Sequence, residues 1–163
     1  MAAAPKLDRI DINILSTIQR HGDITNVKLA ETVGLSTSPC LQRLKRLEQA
    51  GYIESYRAII NLRKLADHII VFTEITLRDH GPKDFQKFEA EIRKHRNVLE
   101  CHLLSGGYDY LVKFVARNIM QYQSIMEDML ERGLSIDKYF SYVAIKPVVT
   151  GNAVPIEDLL DRR

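Results

Sequence analysis

Residues Asp23 to Ile53 hold two short helical patterns only a few residues apart, and that spacing admits few arrangements other than a helix-turn-helix. Thr25 stands where an N-cap belongs, ahead of apolar positions Leu29, Ala30 and Val33, and Gly34 follows where a left-handed residue ends a helix. Leu35 anchors the turn. Ser36 is the expected cap of the second helix, with Pro39 tolerated in its first turn, where the missing N–H has no intrahelical partner to lose. Cys40, Leu44 and Leu47, spaced i, i+4, i+7, predict the buried stripe of that helix, which runs out at Gly51. Its opposite side carries Ser38, Gln42, Lys45 and Gln49, with Arg43 and Arg46 at the flanks. Such side chains suit the major groove of double-stranded DNA: guanidinium for guanine, amide for adenine, ammonium for phosphate. Gln42 and Arg46 are therefore expected on base edges and Arg43 and Lys45 on phosphate. Ser36, Thr37 and Ser38 fall at a helix N-terminus able to grip phosphate. A small helical bundle with an ordinary solvated face would show the same spacing, so other segments have to discriminate.

An earlier helix is predicted from Asp8 to about His21, after Leu7 and before Gly22, with Ile10, Ile14 and Ile18 as its stripe and Leu15 widening it. Three helices then precede Gly51, the minimum for a helix-turn-helix core. Tyr52 to Ile60 reads as extended, a wing or a hinge strand, and the polar run Asn61-Leu62-Arg63-Lys64 marks a linker. The expected division is residues 1–60 for DNA binding, 61–67 as hinge and 68–163 as a second domain. Net charge supports this weakly. It is only +2, but residues 1–60 carry eight Lys/Arg against six Asp/Glu, and Ser36–Gln49 carries three basic residues against one acidic.

The second domain alternates strand and helix signals. His68–Arg78 is a β-branched run. Gly81-Pro82 opens a helix burying Phe85, Phe88 and Ile92. Val98–Leu104 and Tyr108–Val115 are strands around Ser105-Gly106-Gly107. Asn118 caps a helix burying Tyr122, Ile125, Met126, Met129 and Leu130, ended by Gly133, and Ile136–Ile145 is the last strand. The β-α-β-β-α-β order is the ferredoxin-like plan, so the fold class is α+β: a winged helix-turn-helix followed by a ferredoxin-like domain. Its first strand is apolar on both faces, Ile69, Val71, Ile75 and Leu77 on one and Ile70 and Phe72 on the other. Tyr110, Val112 and Phe114 oppose Leu111 and Val115 in the same way on the third. Two helices cover only one face of such a sheet. The other must meet a second subunit related by two-fold symmetry, or else the winged-helix domain of the same chain.

Catalytic and metal chemistry find no purchase. Cys101 and His102 are adjacent on a strand and point to opposite faces, so they cannot pair as nucleophile and base. The five histidines share no spacing with Cys40 and Cys101 that suits zinc, and the two cysteines read as reduced thiols rather than a disulfide. Ser105-Gly106-Gly107 is neither a P-loop nor a nucleophile elbow. No apolar run approaches the ~20 residues needed to span a bilayer, and the start lacks the apolar core of a secretory signal. A cytoplasmic, non-enzymatic protein without a cofactor or metal is expected.

These segments, in this order and size, resemble the Lrp/AsnC family of bacterial transcription regulators, the feast/famine regulators. The strings that carry the resemblance are Leu7-Asp8-Arg9-Ile10-Asp11, Gly34-Leu35-Ser36-x-x-Pro39-Cys40, Arg43-Leu44-x-Arg46-Leu47-Glu48 and Gly51-Tyr52-Ile53. In the second half they are Glu100-Cys101-His102-Leu103 and Ser105-Gly106-x-x-Asp109-Tyr110. The resemblance covers essentially the whole chain, weakens after about Lys146, and is nearest the leucine-responsive branch. It implies a nucleoid-associated regulator of amino-acid metabolism genes. It also implies a dimer through the second domain, octamers or related assemblies, and an amino-acid effector, leucine or similar, bound between dimers near the glycine turn. Gly106 and Gly107 would let backbone amides approach that ligand, and Asp109 would take its α-ammonium group, although a tight hairpin also uses such residues. Leu103, Ile119, Tyr142 and Val143 are further candidates for the pocket wall. Gly107 departs from the family's usual polar residue at the turn, and residues 147–163 depart from its leucine-responsive branch. An architectural DNA-wrapping protein without a small-molecule response, and an enzyme built on the second domain, are the rival classes.

Overall fold

In the first unit, Asp8 starts α1 (Arg9–Arg20) through a capping box: its carboxylate accepts from Asp11 N at 2.8 Å and its own N–H donates to Asp11 Oδ2 at 3.1 Å. A computed structural model describes residues 6–151 and 153–160 of the chain. Thr25 caps α2 (Asn26–Val33), accepting from Lys28 N, and Gly34 closes it at φ +72°, a conformation that favours glycine. Ser36 stands at the N-cap of α3 (Thr37–Gln49), but its hydroxyl makes no capping hydrogen bond. Ile14, Leu15, Ile18, Leu29, Ala30, Cys40, Leu44 and Leu47 form one buried cluster, with Ile10, Val33, Leu35, Tyr52 and Ile53 packed against it. Residues 53–60 run without a strand assignment, because a strand needs a hydrogen-bonding neighbour and none is provided among the described residues of this unit.

The second unit is a four-stranded antiparallel sheet in the order β2-β3-β1-β4, built from β1 (Ile69–Leu77), β2 (Val98–Leu103), β3 (Tyr110–Ala116) and β4 (Ile136–Val143). The helices α4 (Pro82–Ile92) and α5 (Ile119–Glu131) supply Phe88, Ile92, Tyr122, Ile125, Met126 and Met129 to a core closed by Val71, Ile75, Tyr110, Val112 and Phe114. This is the expected ferredoxin-like arrangement. Thr73, fully buried in that core, shares a hydrogen bond with the Tyr122 hydroxyl at 2.8 Å, and Tyr122 also meets Ser141 Oγ at 2.5 Å. That contact fixes which side of the sheet faces the helices. The alternate residues Ile70, Phe72, Leu111, Val115, Phe140 and Tyr142 therefore lie on the uncovered face. There Phe140 and Tyr142 are 56% and 53% exposed.

Three expectations are corrected. Leu130 is exposed rather than buried, since α5 turns it away from the sheet. The last strand stops at Val143, two residues short, and Ile145 stands almost wholly in solvent. The described residues beyond Val148, 149–151 and 153–160, group with the first unit, not the second. Gln19 holds Val154 there by two reciprocal hydrogen bonds, at 2.6 and 3.0 Å. Ile156, which opens the short helix α6 (Ile156–Leu159), packs against the first core.

Candidate functional site

The outward side of α3 follows directly from its buried stripe. With Cys40, Leu44 and Leu47 at 8% exposure or less, the 3.6-residue period turns Thr37, Ser38, Gln42, Lys45 and Gln49 to solvent. Among the described residues none of these five side chains takes a hydrogen-bond or ion-pair partner. The unused N-cap hydroxyl of Ser36 leaves the first amides of α3 uncapped by a side chain, at the positive end of the helix dipole.

Arg43 and Arg46 behave differently. Arg43 Nη1 donates to Asp8 Oδ2 at 2.5 Å and Asp11 Oδ1 at 2.9 Å, and Arg46 Nη2 donates to Asp11 Oδ2 at 2.5 Å. The Asp11 side chain is 1% exposed, so this is a buried carboxylate bridging two guanidinium groups. The Asp8 carboxyl is held below its ordinary 3.8, first by the Asp11 N–H and then by Arg43, while Arg43 itself is pushed up by Asp8 and Asp11. The expected base-edge role of Arg46 and phosphate role of Arg43 thus compete with work both side chains already do inside the unit. Sequence reasoning passed over Asp11 as a clamp. The signal was present: Asp11 occupies the apolar stripe position shared with Ile14, Leu15 and Ile18, and Arg43 and Arg46 are three apart on the facing helix.

At the glycine turn, neither Gly106 nor Gly107 has a positive φ, and a Cβ at either would meet nothing within 4 Å. The turn's conformation therefore does not require glycine, while its backbone is open to approach. Asp109 anchors the turn: Oδ2 accepts from Leu77 N at 2.7 Å and lies 3.2 Å from His80 Nε2, a neighbour the sequence did not suggest. Oδ1 has no partner among the described residues. Of the other expected wall residues, Leu103 joins it across the hairpin, opposite Tyr110 and next to Leu104, whose N–H donates to the Asp109 carbonyl at 2.8 Å, while Ile119 and Val143 do not. Leu103 lines a cavity of about 370 Å³ beside α4 and β2, shared with Glu89, Arg93, Cys101 and Tyr110. Tyr142 lies on the uncovered sheet face with its hydroxyl 3.4 Å from Glu74, and Val143 pairs with Val71 near the opposite end of β1 from Asp109. Ile119, at the start of α5, is likewise exposed. Burial pushes the Cys101 thiol up to about 11, which disfavours its thiolate.

Comparison with known proteins agrees with both halves. Residues 7–54 match the model for winged helix-turn-helix DNA binding, and residues 70–154 match the Lrp/AsnC ligand-binding domain. The chain is 43% identical to the transcriptional regulatory protein DoeX of Halomonas elongata, over 94% of this chain and 98% of that protein. It is 40% identical to the leucine-responsive regulatory protein of Salmonella typhimurium, over 93% and 92%. The crystal structure of the transcriptional regulator NMB0573 of Neisseria meningitidis in complex with L-Met superposes with a TM-score of 0.88 at 32% identity, over 95% of this chain and all of that one. A helix-turn-helix followed by a ligand-binding domain of ferredoxin-like fold defines the class, and the chain belongs to the Lrp/AsnC family. It is a DNA-binding transcription regulator with the family's ligand-binding domain, not an enzyme. Among the described residues no helix is long and apolar enough to cross a membrane.

Proposed function

We propose that this protein is a sequence-specific regulator of amino-acid metabolism genes that assembles from dimers and responds to a small apolar amino acid, leucine-like or methionine. The observation that carries the DNA half is the unpartnered outward side of α3. Gln42 reads a base edge there, Lys45 contacts phosphate, and Ser36, Thr37 and Ser38 hold phosphate at the helix N-terminus. Arg43 and Arg46 act mainly by keeping α3 against α1.

For assembly, the uncovered face bearing Ile70, Phe72, Leu111, Val115, Phe140 and Tyr142 meets the same face of a second copy, since two helices shield only the other side. Gly106, Gly107 and Asp109 then contribute one side of an effector site. Leu103 lies beside them across the hairpin, and Ile119, Tyr142 and Val143 contribute from neighbouring copies. Support for the ligand class is that NMB0573 is solved with L-Met and that a relative at 40% identity is leucine-responsive. Isothermal titration of the full-length protein with a panel of amino acids, paired with light scattering, tests this. Micromolar-to-millimolar binding of leucine or methionine, lost in Asp109→Asn, is expected. Heats indistinguishable from dilution for every amino acid would favour an architectural DNA-wrapping protein instead.

A further inference from the structure

We propose that Asp8 and Asp11 restrain sequence-independent DNA binding by withholding the guanidinium groups of Arg43 and Arg46 from the phosphate backbone. Three basic residues lie on the turn of α3 that also carries Gln42: Arg43, Lys45 and Arg46. Lys45 alone of these is unpaired among the described residues; the other two are tied to carboxylates on α1. The tie is complete. Both Asp11 oxygens take an arginine N–H, Asp8 Oδ2 takes a third, and the remaining Asp8 oxygen and the Asp8 N–H are closed by the capping box. The arginines are not sequestered from solvent, however. Their side chains are 29% and 46% exposed, so they lie within reach of a polyanion and are held back by charge pairing rather than by burial.

The consequence follows from how duplex DNA attracts proteins. Each cation delivered to a phosphate releases condensed counterions, and this sequence-independent term sets how strongly a protein sticks to any duplex. A cation already neutralised by a carboxylate releases almost none. The clamp therefore leaves Lys45 and the helix N-terminus to supply the unspecific attraction on this helix, while the uncharged amide of Gln42 carries sequence information. A carboxylate pair whose only task was to brace α1 against α3 would, when exchanged for an isosteric amide, relieve only diffuse charge repulsion and deliver no further cation to a phosphate.

Asparagine replaces aspartate with nearly the same shape, and at position 8 it remains a good N-cap, so Asp11→Asn and Asp8→Asn/Asp11→Asn are informative. The measurement is fluorescence anisotropy of the full-length protein on a random-sequence duplex between about 50 and 200 mM salt, the range in which counterion release dominates. Asp11→Asn frees Arg46: affinity for the random duplex should rise about fivefold near 0.15 M salt, and the slope of log K against log salt should steepen by about 0.9. The double variant frees both arginines and should steepen it by about 1.8. An unchanged or shallower slope in a variant that retains the wild-type melting temperature would overturn the proposal. Should loss of the buried carboxylate unfold the domain, Asp8→Asn alone decides, because Asp8 is half exposed and Arg43 keeps its second partner. A rise of about twofold in random-duplex affinity is then expected from partial release of one cation, and no rise overturns the idea.

Discussion

The two units solve the placement of functional groups in opposite ways. The first gathers its candidate contacts on one helix, because a helix with a buried stripe must present every remaining residue on a contiguous side. The second distributes its candidates over a loop, two strands and a helix start; Leu103 adjoins the glycine turn, while Ile119 and Val143 stay apart from it. A single copy therefore presents one contiguous exposed side of α3, while the candidates of the second unit are spread over several elements. The same contrast holds for burial. The first unit's cluster is wrapped by its own helices and by Ile156 from the tail, whereas the sheet of the second leaves one apolar face open.

The contrast is broken most severely by hollowing one core at a time. Leu47→Ala should cost the first unit ~2–5 kcal/mol and Phe88→Ala the second ~3–5 kcal/mol, measured by chemical denaturation. Leu47→Ala should abolish gel shift while preserving oligomer mass; equal loss of both properties in both variants would mean the units are not separable in function. Next comes the open face. Ile70→Asp sets a charge opposite Val115 in the apolar band and should weaken self-association by ~2–4 kcal/mol, seen as a fall in mass by light scattering with unchanged circular dichroism. A mass equal to wild type would leave that face without its proposed partner.

On the reading side, Gln42→Ala should cost ~1–3 kcal/mol of discrimination between a selected operator and its single-base variants. Lys45→Ala should instead weaken all duplexes about fivefold and flatten the salt slope by about 0.9. Parallel behaviour of the two variants would dissolve the division of roles along α3. The smallest effect is an acid one. Because the Asp8 carboxyl titrates lower when folded than its ordinary 3.8, its stabilising contribution is present above that value and is lost as pH falls through the lowered one. Asp8→Asn should therefore remove a small part of the acid destabilisation seen by thermal melting below about pH 4.

Much of the fold was legible in the residues: the caps at Asp8, Thr25 and Asn118, the left-handed Gly34 and Gly133, and the period of each stripe are local matters that the backbone settles over a few residues. The exposed side of α3 was legible for the same reason, as the complement of Cys40, Leu44 and Leu47. The clamp was legible only in part: Asp11 stands out in an apolar stripe, but it meets Arg43 and Arg46 across more than thirty residues of chain, and helix packing decides that it is paired.

The tail likewise gives no local sign that Val154 will lie on Gln19, and the glycine turn gives none that Asp109 will tie down the end of β1 and approach His80. By itself the chain of residues determined which elements form, where they end and which side of each is apolar, since propensity, capping and periodicity act within a turn or two. Tertiary structure alone decided which charges neutralise one another and which apolar face remains uncovered. Those outcomes depend on distances between segments far apart in the chain, and electrostatic pairing and burial are both functions of distance in space.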